Sequence, residues 1–188
     1  MGSPRAQGRP CQGRQLDIEQ FMRGYKSAWE QRDEAMFAAL FAADDEYHNT
    51  PFAIQRGHLQ LAEYWPRVKL QDEVRVSSAV LAATAESGIA QWHVTYQVAS
   101  EELFQIWAES AGTNLVARKS GDPLPRMILD GVLLAEFEGN CCKKCQIWWQ
   151  HAADVLSISA FPATALAHRP SWFGMSSVER PARYAPMQ

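Results

Sequence analysis

No apolar run in this 188-residue chain approaches the roughly 20 residues that a helix needs to cross a bilayer. The first residues also lack the apolar stretch of a secretory signal, so the expectation is a cytoplasmic chain with no membrane partner. A basic excess is missing as well. The formal net charge is −3, and Lys143-Lys144 is only a two-residue basic spot. That excludes a strongly basic nucleic-acid binder, and no nucleic-acid partner is expected. Dinucleotide, P-loop, nucleophile-elbow and His-Glu-x-x-His patterns are all absent, and no cofactor is expected. Cysteine is scarce, with Cys11, Cys141, Cys142 and Cys145 only. Cys142-x-x-Cys145 followed by His151 invites a zinc reading. A structural zinc site needs four tetrahedral ligands, however, and no second pair occurs. In a regular strand the two cysteines would also point to opposite faces. No metal is expected, and reduced thiols are the default in a cytosolic chain.

What is present is enough apolar material for a core, at 47% of residues. Charge is unevenly placed. Residues 1–15 carry +3 and residues 162–188 carry +2, which leaves −8 on the segment between them. The expected organisation is a loose basic tail over 1–15, a domain over 16–160 and a Pro-containing tail over 161–188.

Helical spacing of Ile18, Phe21, Met22, Tyr25, Ala28 and Trp29 predicts a helix over 17–31, with Asp17 as its cap. Asp33 can cap a second helix over 34–42. A short strand over 46–50 is stopped by Pro51, and a third helix over 58–65 is limited by Pro66. Strands follow over 74–85, 90–98, 126–138 and 142–150, with a Gly139-Asn140 turn and a short last strand from Val155 to Ser159. Ser100 can cap a short helix carrying Leu103, Phe104 and Trp107, inside an irregular segment over 99–125. Three helices followed by long antiparallel strands predict an α+β fold.

Tyr25-Lys-Ser-Ala-Trp29, Asp44-Asp45-Glu-Tyr47-His48-Asn49-Thr50-Pro51-Phe52, Arg56-Gly57-His58 and Leu129-Asp130-Gly131 through Gln146-Ile147-Trp148-Trp149 occur in this order. Together they resemble the SnoaL-like branch of the nuclear transport factor 2-like superfamily, over roughly residues 17–152. The resemblance implies a cone-shaped α+β barrel, three N-terminal helices on a strongly curved, mostly antiparallel sheet, and a pocket inside. It also implies a homodimer formed through the sheet. The segment over 99–125 is longer than the family usually needs between these strands, and it is expected to form a lid or an edge elaboration near the pocket mouth. The family includes ketosteroid isomerase, epoxide hydrolases, cyclases, dehydratases and non-catalytic binders, so fold alone does not give function.

Ketosteroid isomerase uses two carboxyl groups and a tyrosine. The resemblance puts Thr50 and Leu133 at the carboxyl positions and Tyr25 at the tyrosine, so that mechanism is not expected. His48, two residues before Thr50, becomes the candidate acid or base, because histidine titrates near neutrality. Tyr25 could orient it. Thr50, Leu133 and Phe52 are candidate pocket walls. With seven tryptophans in the chain, Trp29, Trp65, Trp92 and Trp149 are candidates too. Trp92, Val94 and Tyr96 should face inward, leaving His93 outside. Asp130 should face outward while Gly131 and Ala135 share the face of Leu133. The expected partner is a small hydrophobic ligand, possessed either by an isomerase-, cyclase-, dehydratase- or hydratase-type enzyme or by a binder. The alternative is a dimerisation or partner-binding module.

Overall fold

The computed structural model describes residues 15–50, 53–109 and 121–153. The chain divides into one unit over Met1–Ser157 and another over Ile158–Gln188. The second lies outside the described residues, as do the N-terminal tail, Phe52, the 110–120 stretch and the expected strand from Val155 to Ser159.

Helix α1 (Ile18–Gln31) forms as its spacing dictates, and all six apolar residues of its face are buried. The Asp17 carboxylate accepts from the Gln20 N–H at 2.7 Å. Arg32 ends the helix in the left-handed region at φ 57°. Its neighbours hold it there. The guanidinium donates to the Gln71 carbonyl at 2.9 Å and to Asp72 at 2.5 Å, and its own carbonyl accepts from the Trp65 indole.

Helix α2 (Glu34–Ala38) starts at the Asp33 cap but is shorter than the expected 34–42. The Cys142 N–H donates to the Leu40 carbonyl, which draws the chain into a strand. Strand β1 (Phe41–Thr50) is therefore twice as long as the predicted 46–50 segment. Strand β2 (Ala53–Arg56), helix α3 (Gly57–Tyr64) and helix α4 (Pro66–Lys69) follow. Pro66 does more than limit the third helix. It opens a fourth at the position where its missing N–H is no loss. The rest comprises β3 (Gln71–Ala83), β4 (Ser87–Val98), α5 (Glu101–Ala108), β5 (Arg126–Glu138) and β6 (Cys141–Ala153). Ser100 caps α5 as expected, accepting from the Leu103 N–H.

The six strands form one sheet in the order β2-β1-β6-β5-β4-β3. Only β1 and β6 pair parallel, and the other neighbours are antiparallel. The architecture is the expected α+β, with helices against one face of a mixed sheet. Alternation sets what faces them: Trp92, Val94 and Tyr96 on β4, then Leu129, Leu133 and Ala135 on β5, are all buried. Gly131 sits opposite both Trp92 and Trp149. A Cβ there would lie 2.4 Å from the Trp148 carbonyl oxygen, so the close strand approach requires glycine.

Both Cys142 and Cys145 are buried, which corrects the expectation of opposite faces. Glu136 pairs with Lys144 while Phe137 pairs with Cys142. Lys143 is thus an extra residue, and such a bulge resets the alternation.

Candidate functional site

The tryptophans expected in a pocket divide into core and interior wall. Trp65 stacks on Phe37 with ring centroids 4.4 Å apart and is fully enclosed. Trp29 donates from Nε1 to the Gln71 side-chain oxygen at 2.8 Å and lies 5.8 Å from Trp92, centroid to centroid. Trp149 is the inward member of its pair and donates to the Asn49 carbonyl at 2.6 Å, whereas Trp148 is 49% exposed on the opposite face. Leu133 is fully buried.

Tyr25 and His48 are not brought together. The Tyr25 hydroxyl lies 3.3 Å from the Tyr47 hydroxyl, and its ring packs among Phe21, Trp29 and Phe37. Burial holds the Tyr25 phenol well above its ordinary pKa, so it stays protonated. Tyr47 faces the helices, packed on Phe37, Phe41 and Tyr64. His48, the next residue, points to the other face and pairs with Glu46 at 3.0 Å. The Thr50 hydroxyl accepts from the Ala53 N–H in the β1–β2 turn. His93 and Asp130 face each other across β4 and β5 at 3.6 Å on that same outer face.

The interior holds polar residues that sequence reasoning did not place together in a site. Tyr96, Trp107 and His151 converge beside Trp149. The Trp107 ring centroid is 4.5 Å from His151 and 5.9 Å from Trp149, and Trp149 is 5.4 Å from His151. Val94 pairs with Leu129, which pairs with His151, so Tyr96 occupies the adjoining rung of the same face. Four buried polar atoms here and on Trp92 make no hydrogen bond of acceptable geometry: Trp92 Nε1, Tyr96 OH, Trp107 Nε1 and His151 Nε2. Native interiors leave few such groups. Burial raises the Tyr96 phenol far above its usual value, and the neighbouring Trp107 N–H offsets only part of that. Burial lowers the His151 imidazole, which keeps it neutral. The signal for His151 was its period-two spacing from Trp149. It was hidden because the strand was expected to stop at 150, whereas β6 continues to Ala153.

No protein-family model matches the sequence, and no curated protein matches it. Solved structures do match in three dimensions. A candidate polyketide cyclase from Pseudomonas putida KT2440 aligns with a TM-score of 0.52 at 14% identity, over 72% of this chain and 92% of its own. SalBIII, an epoxide hydrolase/cyclase-like enzyme of pyran ring formation in the polyether salinomycin, gives 0.51 at 12% identity, over 70% of this chain and 89% of its own. A candidate polyketide cyclase from Silicibacter sp. TM1040 gives 0.51 at 13%, over 77% and 95%. The chain shares the fold of these structures. It is the α+β arrangement that the residue pattern predicted.

Two further features of the domain bear on its chemistry. Among the described residues, no helix is long and apolar enough to cross a membrane, and no group of three or more His, Cys, Asp or Glu is placed to hold a metal ion. Asp45 is fully buried, and neither carboxylate oxygen makes a hydrogen bond of acceptable geometry. Burial pushes its pKa up to about 6, against the opposing pull of nearby His58. It borders a surface hollow of about 310 Å³ lined by Ala43, Asp44, Glu46, Arg56 and Gly57. That hollow is separate from the aromatic interior around His151.

Proposed function

We propose that the SnoaL-like domain binds a small, mainly apolar molecule in the interior between β4, β5, β6 and α5. The observation that carries this reading is the set of unpartnered polar atoms on Trp92, Tyr96, Trp107 and His151 within an otherwise aromatic wall. Small-molecule sites combine such apolar walls with a few polar groups that fix orientation. The cyclase and epoxide hydrolase/cyclase-like neighbours support the same class of ligand. Isomerase-, cyclase-, dehydratase- or hydratase-type chemistry there needs a proton carrier. We assign that role to His151, whose neutral ring reaches the interior, ahead of His48, whose ring is engaged with Glu46 on the outer face. Tyr25 then shares a hydrogen bond with Tyr47 inside the wall. Indole N–H resonances followed during titration with tetralin test the binding reading. Trp92 and Trp107 are expected to respond, and Trp148 is not.

A dimerisation reading rests on a different observation. The outer sheet face exposes Trp148 and Ile89 in register with Val132 and Leu134. We propose that a second copy of the chain covers this face. Sedimentation of the full chain is expected to show a dimer that Trp148→Glu converts to monomer. A monomer in the unaltered protein contradicts this.

A further inference from the structure

We infer that Cys142 and Cys145 form a two-coordinate site for a soft monovalent cation, copper(I), on the interior face of β6. Two objections to a metal stood in the sequence: the thiols should face opposite ways, and a tetrahedral set lacks partners. The bulge at Lys143 removes the first. Cys142 pairs with Phe137 and Cys145 with Ala135, which are two residues apart on one face of β5. The cysteines therefore sit as same-face neighbours, with Cα atoms about 7 Å apart from the strand rise. Thiols leaning toward one another across that spacing can hold one ion between two sulfurs. Both side chains are fully enclosed and both thiols are free. The Cys142 thiol donates to the Lys144 carbonyl at 3.3 Å.

A second observation lies on the neighbouring strand. Residues 42–45 of β1 stand between Phe41, the partner of Cys142, and Glu46, the partner of Lys144. Asp45 is enclosed in this register break. His58 and the Gly57 N–H draw on its carboxylate, but neither oxygen makes a hydrogen bond of acceptable geometry. Asp45 also lies close enough to act on Cys142. Burial raises that thiol, and the neighbouring Cys145 and Asp45 raise it further. The pair is thus set beside an unsatisfied carboxyl, which itself borders the surface hollow of about 310 Å³ and gives an ion its approach.

The ligand count chooses the ion. Among the described residues no set of three His, Cys, Asp or Glu is placed to hold a metal, so Asp45 does not complete one. A structural zinc ion wants four ligands, and calcium or magnesium a shell of oxygens. Copper(I) is soft, prefers thiolate sulfur and is satisfied by two of them in a line. Binding replaces two S–H bonds by two S–Cu bonds and releases two protons, with no electron transferred. The complex carries one net negative charge, spread over two large sulfurs on either side of Lys143 and Lys144 in the chain.

Anaerobic transfer of copper(I) from its coloured bathocuproine disulfonate complex tests the site. The full chain carries Cys11→Ser and Cys141→Ser, so that Cys142 and Cys145 are the remaining cysteines. The expected result is one equivalent taken up per chain, with copper-edge X-ray absorption showing two sulfur neighbours. Adding Cys142→Ser or Cys145→Ser should abolish the uptake while near-ultraviolet circular dichroism stays native. No uptake by the chain that keeps both cysteines overturns the site, as does uptake that survives either single change. A buried substitution can also unfold the chain, so the absorption spectrum of the unaltered pair decides on its own. Oxygen or nitrogen neighbours at copper, or one ion shared by two chains, overturn the two-thiolate assignment.

Discussion

Replacing Phe37 with alanine is expected to lower the unfolding free energy by about 3–5 kcal/mol. Phe37 is the ring on which separate elements meet. It stacks on Trp65 at the end of α3, lies 5.1 Å from Phe41 and 5.6 Å from Tyr47 on β1, and 5.5 Å from Tyr25 on α1. These four rings belong to three different elements, so they cannot close together on the space left behind. The loss is then the transfer term of a large aromatic plus an unfilled cavity. Leu59→Ala is the matched control. Leu59 is 76% exposed, and its removal should change stability by no more than about 0.5 kcal/mol. Urea unfolding of both variants measures the difference. A Phe37→Ala loss below about 1 kcal/mol would mean that the aromatic core is not packed as described.

The second large effect concerns Asp45 and pH. Its carboxyl titrates at about 6 in the folded chain, against about 3.9 for an unfolded aspartate. The folded state therefore holds this proton more tightly. The group's contribution to stability is most favourable below about pH 4 and is lost as pH rises through 6. A two-unit shift at about 1.4 kcal/mol per unit makes the change up to about 3 kcal/mol. Other carboxylates act the opposite way. Asp44 is held below its ordinary value by Lys143. Glu30 also lies low, because the Lys26 ammonium and the Val76 N–H outweigh its burial. Both lose stability as pH falls, so a raw pH profile mixes the two signs. The difference between Asp45→Asn and the unaltered chain isolates Asp45. The variant is expected to gain up to about 3 kcal/mol relative to the unaltered chain between pH 4 and pH 7.5. A difference that stays flat over that window contradicts the burial of an unpartnered carboxyl.

How much of this was legible in the sequence depended on how local each cause was. The Asp17, Asp33 and Ser100 caps and the buried stripe of α1 were readable, because each is fixed within four residues. The inward set on β4 and β5 was readable as well, since those strands run in uninterrupted antiparallel register. What failed was phase and length where partners are distant. The register between β1 and β6 shifts between Phe41 and Glu46, so no count along β1 alone tells whether Tyr47 or His48 meets the helices. The early end of α2 follows from a hydrogen bond to Cys142, a hundred residues away in the chain. His151, weighed only as a zinc ligand, was not placed on the strand, because β6 persists that far through its pairing with Met127 to Leu129 on β5. Leu133, which the resemblance puts at an isomerase carboxyl position, is an enclosed apolar residue.

The central claim is that the aromatic interior receives a small molecule, and the tryptophans report directly on where one goes. Trp92, Trp107 and Trp149 face the interior, while Trp148 lies on the outer face of the same sheet. Indole N–H resonances of nitrogen-15-labelled full chain, assigned by single Trp→Phe changes and titrated with tetralin, therefore separate the two faces in one experiment. The result predicted is saturable shifts for Trp92 and Trp107 with Trp148 unmoved. Shifts confined to Trp148, or no saturable shift at any indole, would contradict the account.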